Sequence, residues 1–299
     1  MCETIRETLG LAREDAVKFG LFYNTGFLGT DPDQLIAVAR HAEDCGFESF
    51  YVGEHVALYP GAKAGSYAFP ASLPIVDPLE ALSFVAAATQ RILLGTGVLL
   101  VPYHHPVVLA KRLATVDVLS KGRMRLLAVG VGALPGEAAA AGVDFSTRGR
   151  RADEAIDILR LLWSGDDNGV SFDGEFFSLT KVCSFPKPLG GGTLPVHVGG
   201  SSLAAARRAG LRGDGYFPGG GLTEQEQASQ LDLMRTTARA AGRDADALEY
   251  TRWGSIDMTS SDVDDLAARG ATRLIVSPAS VDLTEQRDQL SAFAHRLIG

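Results

Sequence analysis

The stretches GRMRLLAVGVG (residues 122–132) and RGRRADEAIDILRLLW (residues 148–163) decide the fold. The first contains a short apolar run, Leu126–Val131, without alternation, which is typical of a strand covered on both faces. The second has apolar residues at helical spacing, among them Ile156, Leu159 and Trp163. A strand, a glycine-rich turn and a helix make one βα unit.

This unit recurs along the chain. The predicted strands are Val17–Tyr23, Phe47–Gly53, Ile92–Val101, Leu126–Val131, Pro195–Gly200, Gly213–Phe217, Leu248–Ile256 and Thr272–Val276. Eight such units in 299 residues predict an α/β fold, a (β/α)8 TIM barrel. A doubly wound open sheet is the alternative, but it rarely needs a helix after each of so many strands.

Two insertions are predicted. The first is the Gly- and Pro-rich loop Ala57–Ile75 after the second strand, and a loop this long is usually a functional lid. Its aromatic residues Tyr59, Tyr67 and Phe69 suggest an apolar cover. The second is a hairpin before the fifth strand, with Asp173-Gly174 as its turn and residues 175–177 as its second half.

The composition limits the class of protein. Apolar residues make up 46% of the chain and its net charge is −8, without a basic stripe, which argues against a nucleic-acid partner. Three cysteines without metal-ligand spacing indicate a cytoplasmic protein. The sequence lacks an apolar run long enough for a membrane helix. We expect residues 1–16 to be an N-terminal extension and residues 17–299 to form one domain.

Candidate catalytic residues follow the second strand, because barrel active sites gather at strand carboxyl ends. Glu54 and His55 lie there, and an imidazole can exchange a proton near neutral pH. The pattern alone favours a strand-end histidine bonded to a neighbouring loop, and leaves Glu54 open as a structural ion-pair partner. Other strand ends carry glycines that allow a flat or phosphorylated cofactor to lie close to the backbone: Gly97, Gly130, Gly132, Gly199 and Gly200.

The segment Gly199-Gly200-Ser201-Ser202 is the candidate phosphate site. It precedes an Ala-rich helix, whose free N–H groups and positive end favour an anion. An ordinary tight turn with a serine cap fits the local sequence equally well.

Two clusters have weaker interpretations. His104-His105 lacks a third metal ligand at useful spacing, so we predict no metal site and place both histidines in a loop at the cofactor rim. The run Arg148–Arg151 could bind an anionic cofactor tail. A solvated helix start beside Asp153 and Glu154 is the favoured interpretation.

Taken together, six segments resemble the bacterial luciferase-like superfamily: Val129–Gly132, Arg148–Ala155, Leu161–Trp163, Phe172–Phe177, Pro195–Gly200 and Gly213–Tyr216. Within that superfamily the chain is most similar to the actinobacterial branch that uses the deazaflavin coenzyme F420. The resemblance runs from about Val17 to Phe217 and weakens after it.

The resemblance implies a flavin or deazaflavin at the strand ends, with His55 beside its reactive ring. It also implies a non-proline cis peptide at Gly97-Val98 that backs the ring. Some sugar-oxidising members carry an acid just after the fourth strand, where this chain has Ala133. The implied cofactor contacts are His55, Gly97, Val98, Gly130, Gly132, Gly199, Gly200 and Ser201.

We therefore expect an F420-dependent oxidoreductase that transfers a hydride to or from a small organic substrate. His55 would exchange the proton on the substrate oxygen. An FMN-dependent luciferase-like monooxygenase is the first alternative, and a cofactor-binding protein without catalysis is the second. A homodimer is the expected assembly.

Overall fold

The computed structural model describes residues 17–189 and 192–299, so the predicted extension 1–16 lies outside the described residues. The strands are β1 (Lys18–Phe22), β2 (Ser49–Val52), β3 (Lys63–Ala64), β4 (Tyr67–Ala68), β5 (Leu93–Leu100), β6 (Met124–Gly130), β7 (Val170–Asp173), β8 (Ser178–Val182), β9 (Val196–Gly199), β10 (Gly215–Phe217), β11 (Glu249–Trp253) and β12 (Arg273–Val276).

The helices surround these strands, and a short 3-10 turn follows β5 at Val101–Tyr103. They are α1 (Thr25–Leu28), α2 (Pro32–Asp44), α3 (Pro78–Ala88), α4 (Pro106–Leu119), α5 (Pro135–Ala140), α6 (Arg148–Ser164), α7 (Leu203–Arg212), α8 (Glu224–Ala240), α9 (Ser260–Ala268) and α10 (Leu283–Leu297). None of the described helices is long and apolar enough to cross a membrane.

Parallel pairing closes the barrel in the order β1, β2, β5, β6, β9, β10, β11, β12 and back to β1. The predicted (β/α)8 barrel is therefore confirmed, and the open-sheet alternative is wrong. The strands differ from their predicted ranges only at their ends. Both insertions are present, the first as a loop that contains β3 and β4 and the second as the hairpin of β7 and β8.

The barrel interior is filled around Tyr51. A Cβ at Gly95 would lie 2.6 Å from Cε1 of this ring, and a Cβ at Gly20 would lie 2.9 Å from Cε2. Glycine on the neighbouring strands therefore makes room for the ring, which packs with Leu126 and Ile275. The interior is a packed core, so a ligand must bind above it.

The amino-terminal end of the barrel is closed by charged side chains. Arg273 is 1% exposed and pairs with Glu48, Nε to Oε2 at 2.6 Å, and with Glu249. His197 is buried beside them, with its Nε2 3.7 Å from an oxygen of Glu249. A buried arginine needs such partners to offset its lost hydration. This end of the barrel is structural.

The hairpin differs from its prediction. Its second strand begins at Ser178, so the expectation that residues 175–177 form it is wrong. The carboxylate of Glu154 on α6 accepts the backbone N–H groups of Glu175, Phe176 and Phe177 at 2.7, 3.0 and 3.2 Å. Because these donors bond to a helix side chain, they are not available to a strand ladder.

Helix starts follow the sequence signals. Asp31 and Asp77 each accept two backbone N–H groups of the first turn and precede a proline. Thr223 and Glu226 form a capping box at the start of α8. These caps determine the residue at which each helix begins, and hence where the loop between strand and helix ends.

Candidate functional site

A cavity of about 620 Å³ opens at the carboxyl ends of the barrel strands. The residues expected to act on the substrate or contact the cofactor all line it: Glu54, His55, Gly97, Val98, Gly130, Gly132, Gly199, Gly200 and Ser201. These residues come from four different strand ends, and barrel closure brings them together. A cavity of this size can hold a cofactor ring and a small substrate.

The floor of the cavity is formed around Val98. The Gly97-Val98 peptide bond is cis, as the resemblance implied, and β5 shifts its register against β6 at this point. A Cβ at Gly130 would lie 2.6 Å from Cγ2 of Val98, and a Cβ at Gly199 would lie 2.6 Å from its Cγ1. These glycines therefore make room for the Val98 side chain, and they also line the cavity, where their role in cofactor binding stays a prediction.

Gly132 is required for a different contact. Its φ is +80°, and a Cβ there would lie 2.0 Å from the hydroxyl oxygen of Tyr103. Burial raises the pKa of Tyr103 to about 12, and the charge of Glu137 adds to the shift. The Tyr103 hydroxyl therefore stays protonated at neutral pH and packs beneath the turn that follows β6.

His55 is held by a buried carboxylate. Its Nδ1 lies 3.1 and 3.3 Å from the two oxygens of Glu137, whose side chain is fully buried. The same carboxylate accepts the backbone N–H groups of Val56 at 2.7 Å and Ala57 at 3.4 Å. A carboxylate cannot donate, so it favours the proton on Nδ1 and leaves Nε2 as the nitrogen that can accept.

Glu54 has a supporting position. Its Oε2 accepts the backbone N–H of Leu100 at 2.6 Å and its Oε1 lies 2.8 Å from Nε2 of His104. The backbone N–H of Glu54 also bonds to the Val98 carbonyl at 3.2 Å. These three bonds tie the end of β2 to the irregular end of β5, and so hold the floor of the cavity.

The two adjacent histidines do not lie at the rim of the cavity, so that expectation is wrong. His104 bonds to Glu54 from behind the floor, and His105 packs edge-on against Phe177 of the hairpin at 5.6 Å between ring centroids. Neither is among the lining residues. His104 is held by a carboxylate and His105 by an aromatic ring, and the sequence of the dipeptide alone could not show these partners.

The predicted phosphate loop is a cradle of free N–H groups. The amides of Gly200, Ser201 and Ser202 make no hydrogen bond to any residue in the described ranges 17–189 and 192–299. The carbonyls of Gly200 and Ser201 point elsewhere, since they accept from Tyr216 at 2.8 Å and from Gln230 at 2.9 Å. With the start of α7 behind them, these amides fit the phosphate of a cofactor.

The arginine run divides between two regions. Arg148 lines the cavity, where its guanidinium lies 3.5 Å from the ring centre of Phe145 and donates to the Gly132 carbonyl at 3.1 Å. Arg150 and Arg151 turn toward Phe176 of the hairpin, 5.7 and 5.0 Å from its ring centre. A uniformly solvated helix start is therefore wrong for Arg148.

A second cation, Arg208 of α7, also lines the cavity, beside the cradle. Its Nε donates to Asp153 at 2.6 Å and its Nη2 to the Gly149 carbonyl at 3.0 Å. Both Arg148 and Arg208 therefore lie on the side of the cavity formed by α6 and α7. Asp153 neutralises Arg208, so the positive charge of Arg148 and the free N–H groups are what favour an anionic group there.

The opposite wall of the cavity is apolar. The first insertion places Tyr67, Phe69, Leu73 and Ile75 in the lining. The Phe69 ring packs against His55 at 4.8 Å between centroids, and Tyr67 packs against Phe69 at 4.7 Å. Tyr67 and Phe69 of the predicted apolar cover therefore line the cavity, and Tyr67 remains 57% exposed. Tyr59 does not line it, and its hydroxyl accepts the Gly136 N–H instead.

Sequence reasoning missed Glu137, Arg208 and Tyr103. The available signal for Glu137 was a lone acid in an Ala-rich stretch just after the β6 turn, at the start of α5. Arg208 faces inward from the second turn of α7, a direction that periodicity alone does not assign. Tyr103 could not be found without the close approach of Gly132.

A closed (β/α)8 barrel with an anion cradle and a carboxylate-held histidine at its mouth defines a class of barrels suited to phosphorylated cofactors. The family model for luciferase-like monooxygenases matches residues 17–296, and the chain belongs to that family.

Known proteins are similar to this chain in sequence or in fold. An F420-dependent glucose-6-phosphate dehydrogenase of Nakamurella multipartita is 32% identical over 237 residues, 78% of this chain, which spans 65% of that relative's length. The structure of the monooxygenase RslO1 from Streptomyces bottropensis superposes on this chain with a TM-score of 0.77 at 22% sequence identity. The superposition covers 94% of this chain and 99% of the RslO1 chain. An F420-dependent secondary alcohol dehydrogenase superposes with a TM-score of 0.76 at 18% sequence identity, and the superposition covers 95% of this chain and 98% of the dehydrogenase. The two structures establish the fold.

Proposed function

We propose that this protein is an F420-dependent oxidoreductase that transfers a hydride to or from a small organic substrate. The observation that carries the proposal is the position of His55 and the Gly200–Ser202 cradle in one cavity. A relative that is 32% identical is named as F420-dependent, which supports this cofactor over FMN.

Each part of the cavity has a distinct role in this proposal. The amides of Gly200, Ser201 and Ser202 bind the cofactor phosphate, and Arg148 adds positive charge on the same side. Val98 forms the floor. The bound cofactor supplies the hydride chemistry.

His55 acts as the general base or general acid. Its Nε2 accepts a proton from a substrate hydroxyl during oxidation, or returns it to a carbonyl oxygen during reduction. Glu137 acts as a positioning residue, because it bonds to Nδ1 and keeps Nε2 available. Glu54 is assigned no proton-transfer role, since both of its oxygens already accept from Leu100 and His104.

For the substrate we propose a small, largely apolar alcohol or carbonyl compound. The aromatic and aliphatic residues of the first insertion cover the cavity beside His55, and such a wall favours apolar groups. The two lining arginines lie on the cradle side, where Arg148 serves the cofactor and Asp153 neutralises Arg208. This assignment differs from the sugar phosphate that the Nakamurella relative's name specifies.

The test begins with a titration of the purified protein with F420 and with FMN. We expect tight binding of F420, and tight binding of FMN alone would favour the monooxygenase alternative. Hydride transfer is then followed with glucose 6-phosphate and with a panel of secondary alcohols, ketones and enones. Turnover with a panel member that His55→Ala abolishes supports the proposal, whereas binding without any turnover favours a cofactor-binding protein.

A cytoplasmic homodimer is the proposed state of the protein. The free thiols of Cys45 and Cys183 suit a reducing compartment. Phe84, Val108 and Leu119 on α3 and α4 are 49%, 58% and 66% exposed, and apolar exposure on adjacent helices supports an interface there. Light scattering should give twice the chain mass of 31.6 kDa, and Phe84→Glu should shift it to the monomer.

A further inference from the structure

A second cavity, of about 300 Å³, lies on the outside of the barrel. It is bounded by α8, α9 and the outer face of β11, and none of its lining residues lines the cavity at the barrel mouth. Along β11, Tyr250 and Arg252 face outward into it, because alternate residues of a strand point to opposite sides. The cavity therefore lies between the strand and the helix layer.

Arg252 is buried in this cavity, and no carboxylate of residues 17–189 or 192–299 pairs with it. Only 4% of its surface is exposed, and its Nη1 donates to the Tyr250 hydroxyl at 3.1 Å. Its Nε is buried and has no acceptor within the described part of the chain, and no ion pair joins it to a described carboxylate. The Tyr250 ring, 5.7 Å from the guanidinium carbon, offsets only part of the lost hydration.

A second arginine in the lining, Arg235, is only partly buried. Arg235 of α8 has a buried Nε that finds no acceptor among residues 17–189 and 192–299. Its Nη2 reaches to 3.5 Å from the position of a Cβ at Gly270, at the turn after α9. The third lining arginine, Arg269, is already neutralised by Glu224.

We propose that this outer cavity is a binding site for a small oxyanion, a phosphoryl or carboxylate group held by Arg252 and Arg235. Buried polar groups in proteins are almost always hydrogen-bonded, and an unpaired buried guanidinium is especially costly. An oxyanion matches the paired donors of a guanidinium and would supply the counter-charge that these arginines lack among the described residues. The lining has three arginines against Glu224 and Asp232, so its net charge is +1, and Asp232 lies on the exposed side of α8.

The experiment is calorimetric titration of the full-length protein with inorganic phosphate, and separately with succinate, at constant ionic strength in chloride. The variants are Arg252→Met and Arg235→Met, which keep the side-chain stems and remove the charges. The matched control is Arg239→Met, also on α8, where Arg239 is 57% exposed and pairs with Asp246 at 3.3 Å outside the cavity.

We expect saturable binding of at least one of the two anions. It should weaken by about tenfold or more in both cavity variants, as the loss of one charge-assisted hydrogen bond implies, and persist in Arg239→Met. The same anion should raise the melting temperature of the parent and of the control, but not of the cavity variants. Should Arg252→Met not fold, Arg235→Met decides the question.

Two results would overturn the proposal. One is the absence of saturable binding of either anion to the parent protein. The other is binding that both cavity variants retain, which would place the anion elsewhere, such as the cradle at Gly200–Ser202. Because the readout is binding and stability, it is independent of which cofactor the barrel mouth takes.

Discussion

Replacing Glu137 by Gln should disable His55 without disturbing the fold of the barrel. In the structure the Glu137 carboxylate accepts the Val56 N–H at 2.7 Å and faces Nδ1 of His55 at 3.1 Å. A Gln side chain that keeps its oxygen on the shorter of these bonds turns its NH2 group toward Nδ1. The imidazole must then carry its proton on Nε2, and Nε2 can no longer accept one.

The size of the effect follows from the bond that is lost. A hydrogen bond to a charged group contributes about 1.5–3 kcal/mol, which corresponds to a roughly 10- to 150-fold lower kcat. The Kd of the cofactor should change by less than about threefold, because Glu137 does not line the cavity. Glu175→Gln is the matched control, since Glu175 is 52% exposed and pairs with Arg150 at 3.2 Å on the surface.

The assay measures kcat and cofactor Kd for the parent, Glu137→Gln, His55→Ala and the double variant. If Glu137 acts through His55, the double variant should match His55→Ala. The reasoning is refuted by a single Glu137→Gln variant with parental kcat. It is equally refuted when Glu137→Gln lowers kcat by the same factor in the His55→Ala background, because that would reveal a purely structural role.

Three further predictions concern stability and binding. Burial lowers the pKa of His197 from 6.5 to about 4, so as the pH falls the unfolded chain binds a proton at this histidine before the folded chain does. The free energy of unfolding should therefore fall by about 3 kcal/mol between pH 6.5 and pH 4. Urea unfolding of His197→Gln should show a smaller decrease over the same pH range. Gly130→Ala puts a Cβ 2.6 Å from Val98 Cγ2 and should weaken cofactor binding about tenfold, with recovery in the double variant with Val98→Ala, as titration would show. The loop Ala57–Ile75 should resist proteolysis once cofactor and substrate are bound, and equal cleavage rates with and without them would count against its role as a cover.

Much of this protein could be predicted from sequence because the deciding signals are local. Apolar runs and helical spacing act within a few residues, so they predicted the order and number of βα units. Barrel topology then brings strand carboxyl ends together, which is why Glu54, His55 and Gly200 could be assigned to one site before their positions were known.

Only the tertiary structure decided how those residues are used. Glu137 reaches His55 across 82 residues of chain, and no local pattern specifies such a meeting. The side chain in the space beside Gly130 turned out to be Val98, because the irregular register of β5 against β6 points it there. Arg252 is buried because α8 and α9 pack over β11, and its Nε has no acceptor within the described chain. Such contacts depend on strand register and on which helix faces which strand, and these are set by the closure of the whole barrel.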